Sequence, residues 1–554
     1  MLISRRGFAS AALGAAVAAQ LPARALAQDA RYAAALAAIR AYAEANLRHF
    51  GLPGLTLALS APDGFNTVMN LGFANADART PIISETLFQI GSISKLIAAA
   101  VVHQLAGEGR LKLTDRISEL LPEVRLPNGN SVQVQHLLDH VAGLPADAPV
   151  FADGGLWTAY QPGEHWNYSN TGYDILGLLI ERVSGAPLAK VERDRIFEPL
   201  GMRRTRGAIV ASDRTLYAQG YEVADHEAFV PGARLAPAPW LDVSFAGGNV
   251  ASTGEDMILL MRSIADAAQG RGGLGLPPET AKAFASHAVA SDGPDMRYGN
   301  GLMHVANAGR SYLHHTGGML SFSSAFHIDK SSGAAAFAST SLGGYAEFRP
   351  KLLSRFAADA LTSAAAGAPL PPPPSLFVPS AHTPAYVGRY KGPAGEFEVS
   401  RGTPLTIVSN GKSATLHPIG GDLFRTLHPD FRTFTLLFQR RTGTVVGAAW
   451  GPALYLRAGA TVQVPQSDAQ LAKLAGRFGS DNPWFGPVRV VERGGRLWIG
   501  TEQPMTRIGD NLWRVGQDSW SPERASFHDF IDGRPQTLIL SGQKYLRQDI
   551  EAAA

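Results

Sequence analysis

The chain of 554 residues contains no cysteine. Disulfides, a thiolate nucleophile and cysteine–zinc sites are therefore excluded, although this absence alone does not fix a compartment. His-Glu-x-x-His is also missing, which removes the commonest zinc-hydrolase signature, and no metal site or cofactor is expected. No Gly-x-Ser-x-Gly elbow occurs, which disfavours an α/β-hydrolase. Neither charge sign is in excess: Lys and Arg total 50 and Asp and Glu 47. Residues 1–27 hold three arginines (Arg5, Arg6, Arg24) and no acid, so the remainder carries 47 of each sign. A nucleic-acid partner has no support from such a balance. Beyond the N-terminus there is no run of about 20 apolar residues of the kind that spans a bilayer.

What is present first is a leader. Ser4-Arg5-Arg6-Gly7-Phe8, a short apolar run and Ala25-Leu26-Ala27 together look like a twin-arginine export signal with an A-x-A cleavage site. Ala9 and Ser10 depart from the Leu-Lys usual there. The expectation is a signal over 1–27, a periplasmic destination, and no membrane span once the signal is removed.

Residues 28–50 read as an amphipathic helix through Leu36, Ile39, Ala43 and Leu47. Leu55–Ser60 and Asn66–Ala74, flanking Pro-Asp-Gly, read as a hairpin. A helix-rich middle follows, and then strands around "SYLHHTGG" and "SSAFHID". This order implies α+β, with helices packed on an antiparallel sheet, over 28–365. A Pro-rich linker, 366–382, contains Pro371–Pro374. Beyond it lies a repeat: "YVGRYKG" answers to "LAGRFGS" and "GGDLFRTL" to "IGDNLWRV", with Gly388/Gly476 and Asp422/Asp510 both offset by 88. "LYLR" and "KYLR" close the two copies. Each copy, 383–460 and 461–550, has strands enough for a small antiparallel β-barrel.

Ser-x-x-Lys occurs at Ser92…Lys95, Ser409…Lys412 and Ser541…Lys544. The last two sit in strand-and-turn sequence and read as solvated turn residues. Ser92 precedes "LIAAAVV", a buried helix, and Lys95 lies on the same helical face three residues on. Ser92 is then either an N-cap or a nucleophile whose own N–H lies at the positive helix end. "NYSNTGYDILG" offers Tyr168 as a proton relay and Asn170 as an amide holder at a helix start. His315-Thr316-Gly317-Gly318 offers a strand whose glycines let a substrate approach the backbone, and His315 alone also reads as a structural histidine.

In this order the three segments resemble the serine β-lactamase and penicillin-binding superfamily, in its class C-like branch. That branch includes class C β-lactamases, D-Ala-D-Ala carboxypeptidases, D-aminopeptidases and esterases. "HLLDHVAGLPAD" (with Ala142 where Ser is usual), "PGEHWNYSNTGYDILG", "PLGMRRT", "AGGNVASTGEDM" and "YGNGL" follow in family order over about 30–360. The tail of two barrels resembles bacterial D-aminopeptidases. The resemblance implies acyl transfer through Ser92, with Lys95 or Tyr168 as base and the N–H groups of Ser92 and Gly318 as oxyanion donors. It implies substrate contacts from Asn170, His315, Gly317 and Gly318. The substrate expected is a small peptide or ester, possibly with D-residues. His315 stands where many relatives have a lysine cation, which points away from a strong β-lactamase and towards D-aminopeptidase-like or esterase activity. The sequence does not decide whether a barrel loop caps the cleft; Asp481 is one candidate for holding a substrate ammonium, although a surface turn is the better reading of it. The reading of another class is a non-catalytic binder of peptidoglycan fragments.

Overall fold

The computed structural model describes residues 30–548, except 127–130, 153–154, 226–229, 294, 344–349, 377–382, 403, 462 and 464. The proposed signal over 1–27 and the second part of the proposed linker lie outside the described residues.

The N-terminal half is α+β. Nine antiparallel strands form one sheet in the order Thr80–Pro81, Asn66–Asn75, Gly54–Ser60, Ala335–Thr340, Ser323–Asp329, Arg310–Gly318, Leu302–Asn307, Met296–Gly299, Val289–Ala290. Gly54–Ser60 is buried at every position, because both faces of the sheet are covered. Leu55, Leu57 and Leu59 pack with Tyr32, Ile39, Phe356 and Leu361, from the helices 30–50 and Pro350–Ala365. Ala58, Phe326 and Phe337 face the other way, into a core shared with Leu96, Ile97 and Leu260. A strand buried on both faces reads as continuous apolar sequence, as "GLTLAL" does.

Ser94–Gly107 is buried on nearly all sides, from Ser94 through Val102. Its "LIAAAVV" run has no polar stripe, so the helix occupies the middle of the helical layer. Asn170–Ser184 packs beside it with Ile175, Leu176, Leu179 and Ile180 inward, and stops at Gly185 in the left-handed region (φ 73°).

The C-terminal half holds two antiparallel β units. The first is a nine-stranded sheet from Gly388–Gly392 to Ala453–Arg457, and the second an eight-stranded closed barrel from Gly476–Gly479 to Gln543–Arg547. The repeat is structural. In each copy the "YLR" strand pairs back onto the first strand, Arg457 opposite Tyr390 and Arg547 opposite Phe478. Each arginine also bonds the carbonyl of the residue before the opening glycine: Arg457 to Val387 O at 2.7 Å, Arg547 to Ala475 O at 3.1 Å. The two decoy motifs do lie at turns, with Lys412 and Lys544 exposed, but their serines are not solvated. Ser409 and Ser541 are buried, donating to Glu396 O and to the Glu523 carboxylate. Among the described residues no helix is long and apolar enough to cross a membrane.

Candidate active site

Ser92 lies in a single 3-10 turn, Gly91–Ile93, that runs into the helix Ser94–Gly107. It caps nothing: neither helical segment has a side-chain cap at its start. Ser94 does the local work instead, donating to Gly91 O (2.6 Å) and accepting from Val250 N (3.0 Å). The Ser92 hydroxyl is left to two partners, Lys95 Nζ at 3.1 Å and the Tyr168 phenol.

Lys95 is fully buried. Its Nζ also donates to Asn170 Oδ1 (2.6 Å) and Gly247 O (2.7 Å). Those two carbonyl oxygens can only accept, so both need an N–H from the amine. The third position on nitrogen faces Ser92. When the amine is neutral, its lone pair therefore points at the serine hydroxyl. Burial lowers the Lys95 pKa to about 7, against the opposing pull of the Asp174 and Asp147 carboxylates. Burial raises that of Tyr168, which stays a phenol at neutral pH even though its bond to Ser92 favours ionisation.

Asn170 is the first residue of its helix, and Ser169 before it is extended and caps it by accepting from Gly172 N. Tyr168 and Asn170 thus point to the same side, with Lys95 Nζ 5.0 Å from the centre of the Tyr168 ring. The Asn170 amide donates to Asp147 Oδ1 at 2.7 Å. One turn along the helix, Asp174 accepts from Gly247 N at 3.3 Å. A Cβ on Gly247 would sit 3.1 Å from Asp174 Oδ1 and 3.6 Å from Lys95 Nζ, so a side chain here would crowd both groups. Burial pushes the Asp174 carboxyl up to about 7, with Lys95 opposing part of the rise.

The strand Arg310–Gly318 pairs with Leu302–Asn307 only as far as His314. Its last four residues keep the Ser323–Phe326 partner and turn their other edge to the serine turn. A Cβ on Gly317 would lie 1.9 Å from Ile90 O, and one on Gly91 (φ 52°) 2.8 Å from Gly318 O. This backbone-on-backbone contact brings Gly318 beside Ser92, and both residues line one pocket of about 400 Å³.

The structure places His315 elsewhere than on that pocket wall. It is buried, with Nδ1–H donating to Thr316 O (2.5 Å) and Nε2 accepting from the Tyr298 hydroxyl (3.3 Å). Burial, then the nearby Lys95 ammonium, lower its pKa to about 3. The ring is neutral and both nitrogens are engaged, so it cannot grip a substrate carboxylate from there. Gly317 is likewise in the joint with the serine turn and not among the pocket-lining residues.

A family model described as Beta-lactamase matches residues 18–359, more than half of the chain. The chain belongs to the beta-lactamase family. The beta-lactamase of Pseudomonas fluorescens is 33% identical over 198 residues, covering 34% of this chain and 55% of that protein. The chain spans about half the length of the curated relatives it matches. Among solved structures, an octameric penicillin-binding protein homologue from Pyrococcus abyssi superposes with a TM-score of 0.56 at 22% identity, over 75% of this chain and 96% of that one. That likeness shows the fold alone. The D-amino acid amidase of Ochrobactrum anthropi SV3, solved with L-phenylalanine amide, gives a TM-score of 0.50 at 25% identity, over 60% of this chain and 99% of that one.

The pocket has walls that sequence reasoning missed. Asp147, Asp174 and Asp242 line it, and among the described residues no Lys, Arg or His does. Asn482, Trp484, Phe485 and Gln543 of the closed barrel complete it. The barrel loop thus reaches the cleft, and Asp481 is exposed and outside the lining, as its surface-turn reading has it. The barrel is held by Glu523, which accepts from Ala146 N (2.8 Å), by Gln543 donating to Asp147 O (2.9 Å), and by Trp157 donating to Pro522 O (2.7 Å). His165 and Trp520 stack across the same seam, 4.6 Å apart. Behind the site, His140 lies 4.3 Å from the Tyr168 ring and 4.6 Å from Tyr298, and its Nδ1 accepts from Ser169 N. "HLLDHVAGL" and "YGNGL" were the signals for those two residues.

Proposed function

We propose that this chain is a serine hydrolase acting on amides whose acyl residue carries a free ammonium, in the manner of a D-aminopeptidase or D-amino acid amidase. The observation that carries the proposal is the Lys95 amine. It is fastened by Asn170 and Gly247 and turned by them toward the Ser92 hydroxyl, at a depth that favours its neutral form.

Ser92 Oγ attacks the substrate carbonyl carbon while its proton passes to Lys95 Nζ. The carbonyl electron pair moves to oxygen, where the N–H groups of Ser92 and Gly318 receive it. The intermediate collapses, the C–N bond breaks, and the departing nitrogen takes a proton from Lys95, relayed by the Tyr168 phenol. Water then attacks the acyl-serine and gives its proton to the same amine, releasing the acid and restoring Ser92. Asn170 orients the substrate through the N–H that Asp147 does not use.

The acidic lining supports a cationic substrate end, since Asp147, Asp174 and Asp242 face the pocket and Lys95 beside them works in its neutral form. The engaged, neutral His315 weighs against substrates that need their carboxylate clamped, such as cephalosporins or D-Ala-D-Ala peptides. The likeness to the D-amino acid amidase supports the same choice. Export to the periplasm belongs to the proposal, on the Arg5-Arg6 leader alone, and cell fractionation tests it.

Ser92→Ala is expected to abolish both hydrolysis of D-alanine anilide and labelling by a fluorophosphonate, with an unchanged circular dichroism spectrum. Turnover retained in that variant overturns the mechanism. Parallel assays with a short-chain nitrophenyl ester and a chromogenic cephalosporin test the substrate class, and a cephalosporin turned over faster than the anilide overturns it.

A further inference from the structure

A second cavity, of about 660 Å³, abuts the catalytic pocket. The two share Leu241, Val243, Met319 and Trp484 as walls. The catalytic strand leads from one to the other: Gly318 faces Ser92, and Met319 to Phe322, bent back by the bond from Met319 N to Phe322 O (2.8 Å), line the second cavity. Trp240 and Tyr217 meet edge to face there, 5.1 Å between ring centres. The Trp240 indole N–H donates to Asp242 Oδ1 at 2.7 Å, tying this cavity to an acid of the catalytic pocket. Arg214, which also lines this cavity, lies over the same indole, 5.8 Å from its centre.

Four aromatic side chains stand out in a lining that also carries polar groups, Gln89, Arg214 and Gln219 among them. Tyr217, Trp240, Phe322 and Trp484 come from separate stretches of the chain and converge on one space. Glu85 at its rim is matched by Arg204, 2.7 Å away. The Tyr217 hydroxyl at the wall is buried and has no hydrogen-bond partner. Aromatic walls at ring-contact spacing suit a flat apolar group, which gains from stacking and edge contacts beyond its area.

We propose that this annex is a second subsite that receives an aromatic side chain of the substrate, so that an aromatic amide or dipeptide is preferred over an alanine-sized one. The inference rests on the hydrolase reading above and adds where the substrate's bulk goes.

The test separates binding from turnover. In the Ser92→Ala background, D-tryptophan amide, D-alanyl-D-tryptophan and D-alanine amide are titrated calorimetrically. At least one of the two indole ligands is expected to bind about tenfold more tightly than D-alanine amide. Which one does so tells whether the ring sits on the acyl or the leaving side. Adding Trp240→Ala is expected to erase the difference and Trp240→Phe to restore most of it, the readout being the ratio of indole-ligand to D-alanine amide affinity, because both variants also lose the bond to Asp242. Equal affinity for all three ligands, or an advantage that survives Trp240→Ala, overturns the annex. The same ligands are then offered to the protein with Ser92 intact. Selective binding without hydrolysis would sink the hydrolase reading while leaving the subsite standing.

Discussion

Lys95 Nζ lies 2.6 Å from Asn170 Oδ1, the shortest of the three bonds that fix the amine. The same asparagine turns its amide to Asp147. The direction of the Lys95 lone pair is therefore set by a chain of side chains from three segments, and a change anywhere along that chain reaches the serine.

Asp174 tests this through pH. With Lys95 at about 7, kcat/KM should rise with pH through that region and level off above it, since the neutral amine is the working form. The Asp174 carboxylate favours the ammonium. Asp174→Asn removes that support, so the acid limb should move to lower pH, by about one unit. A pH–rate series on an uncharged ester reads this directly. A limb that stays or moves upward would show that Lys95 does not set it.

Glu192 is fully buried, with Asn249 Nδ2 on one oxygen at 2.7 Å and the other oxygen unpartnered. Burial raises its pKa to about 8. The unfolded chain releases this proton near 4.3, so the folded state holds one proton more between those values. The resulting penalty on folding grows as pH rises through this window and levels off above about 8. Glu192→Gln keeps an acceptor for Asn249 and removes the penalty. Its Tm should exceed that of the parent protein at pH 8.5, with the gap narrowing at pH 5.5. An equal gap at both values would contradict the assignment.

Gly317→Ala should be severe. Its Cβ would meet a backbone oxygen at 1.9 Å, which no rotamer relieves. The strand end must part from the serine turn, at about 3 kcal/mol of stability and with loss of the Gly318 donor. Gly318→Ala meets nothing within 4 Å and should fold normally. Similar melting temperatures for Gly317→Ala and the parent protein would refute the contact.

Glu523→Ala strips the partner from Ala146 N, and from Ser541, inside the seam between barrel and catalytic half. A buried donor left unpaired costs about 1–3 kcal/mol. We expect a lower Tm, faster proteolysis at the seam, and a raised KM, since Asp147 is the next residue. An unchanged KM and Tm would mean that the seam does not position Asp147.

Sequence exposed the parts of the site that lie close along the chain. Ser92 and Lys95 are three apart on a helix, Tyr168 and Asn170 two apart at a helix start, and each pair carries its own geometry. The hairpin 54–75 and the strands about His315 were readable from turn residues and apolar runs. The barrels were readable from their repeat. What escaped was set by tertiary contact. Asp147 and Asp174 are ordinary acids until packing brings them to Lys95. Nothing near His315 told that Tyr298 and Thr316 would occupy both its nitrogens. Asp481 and Trp484 share a loop, and only its docking decides which of them faces the cleft. The burial of Ser409 and Ser541 came from neighbouring strands that local turn chemistry does not reveal.

Gln543 grasps the Asp147 carbonyl across 396 positions of sequence. Ser92, Lys95 and Asn170 thus meet within the first half of the polypeptide, but one wall of their pocket arrives last, with the closing hairpin. A molecule nicked ahead of that hairpin should go on cleaving an uncharged ester while holding its amide substrates more loosely.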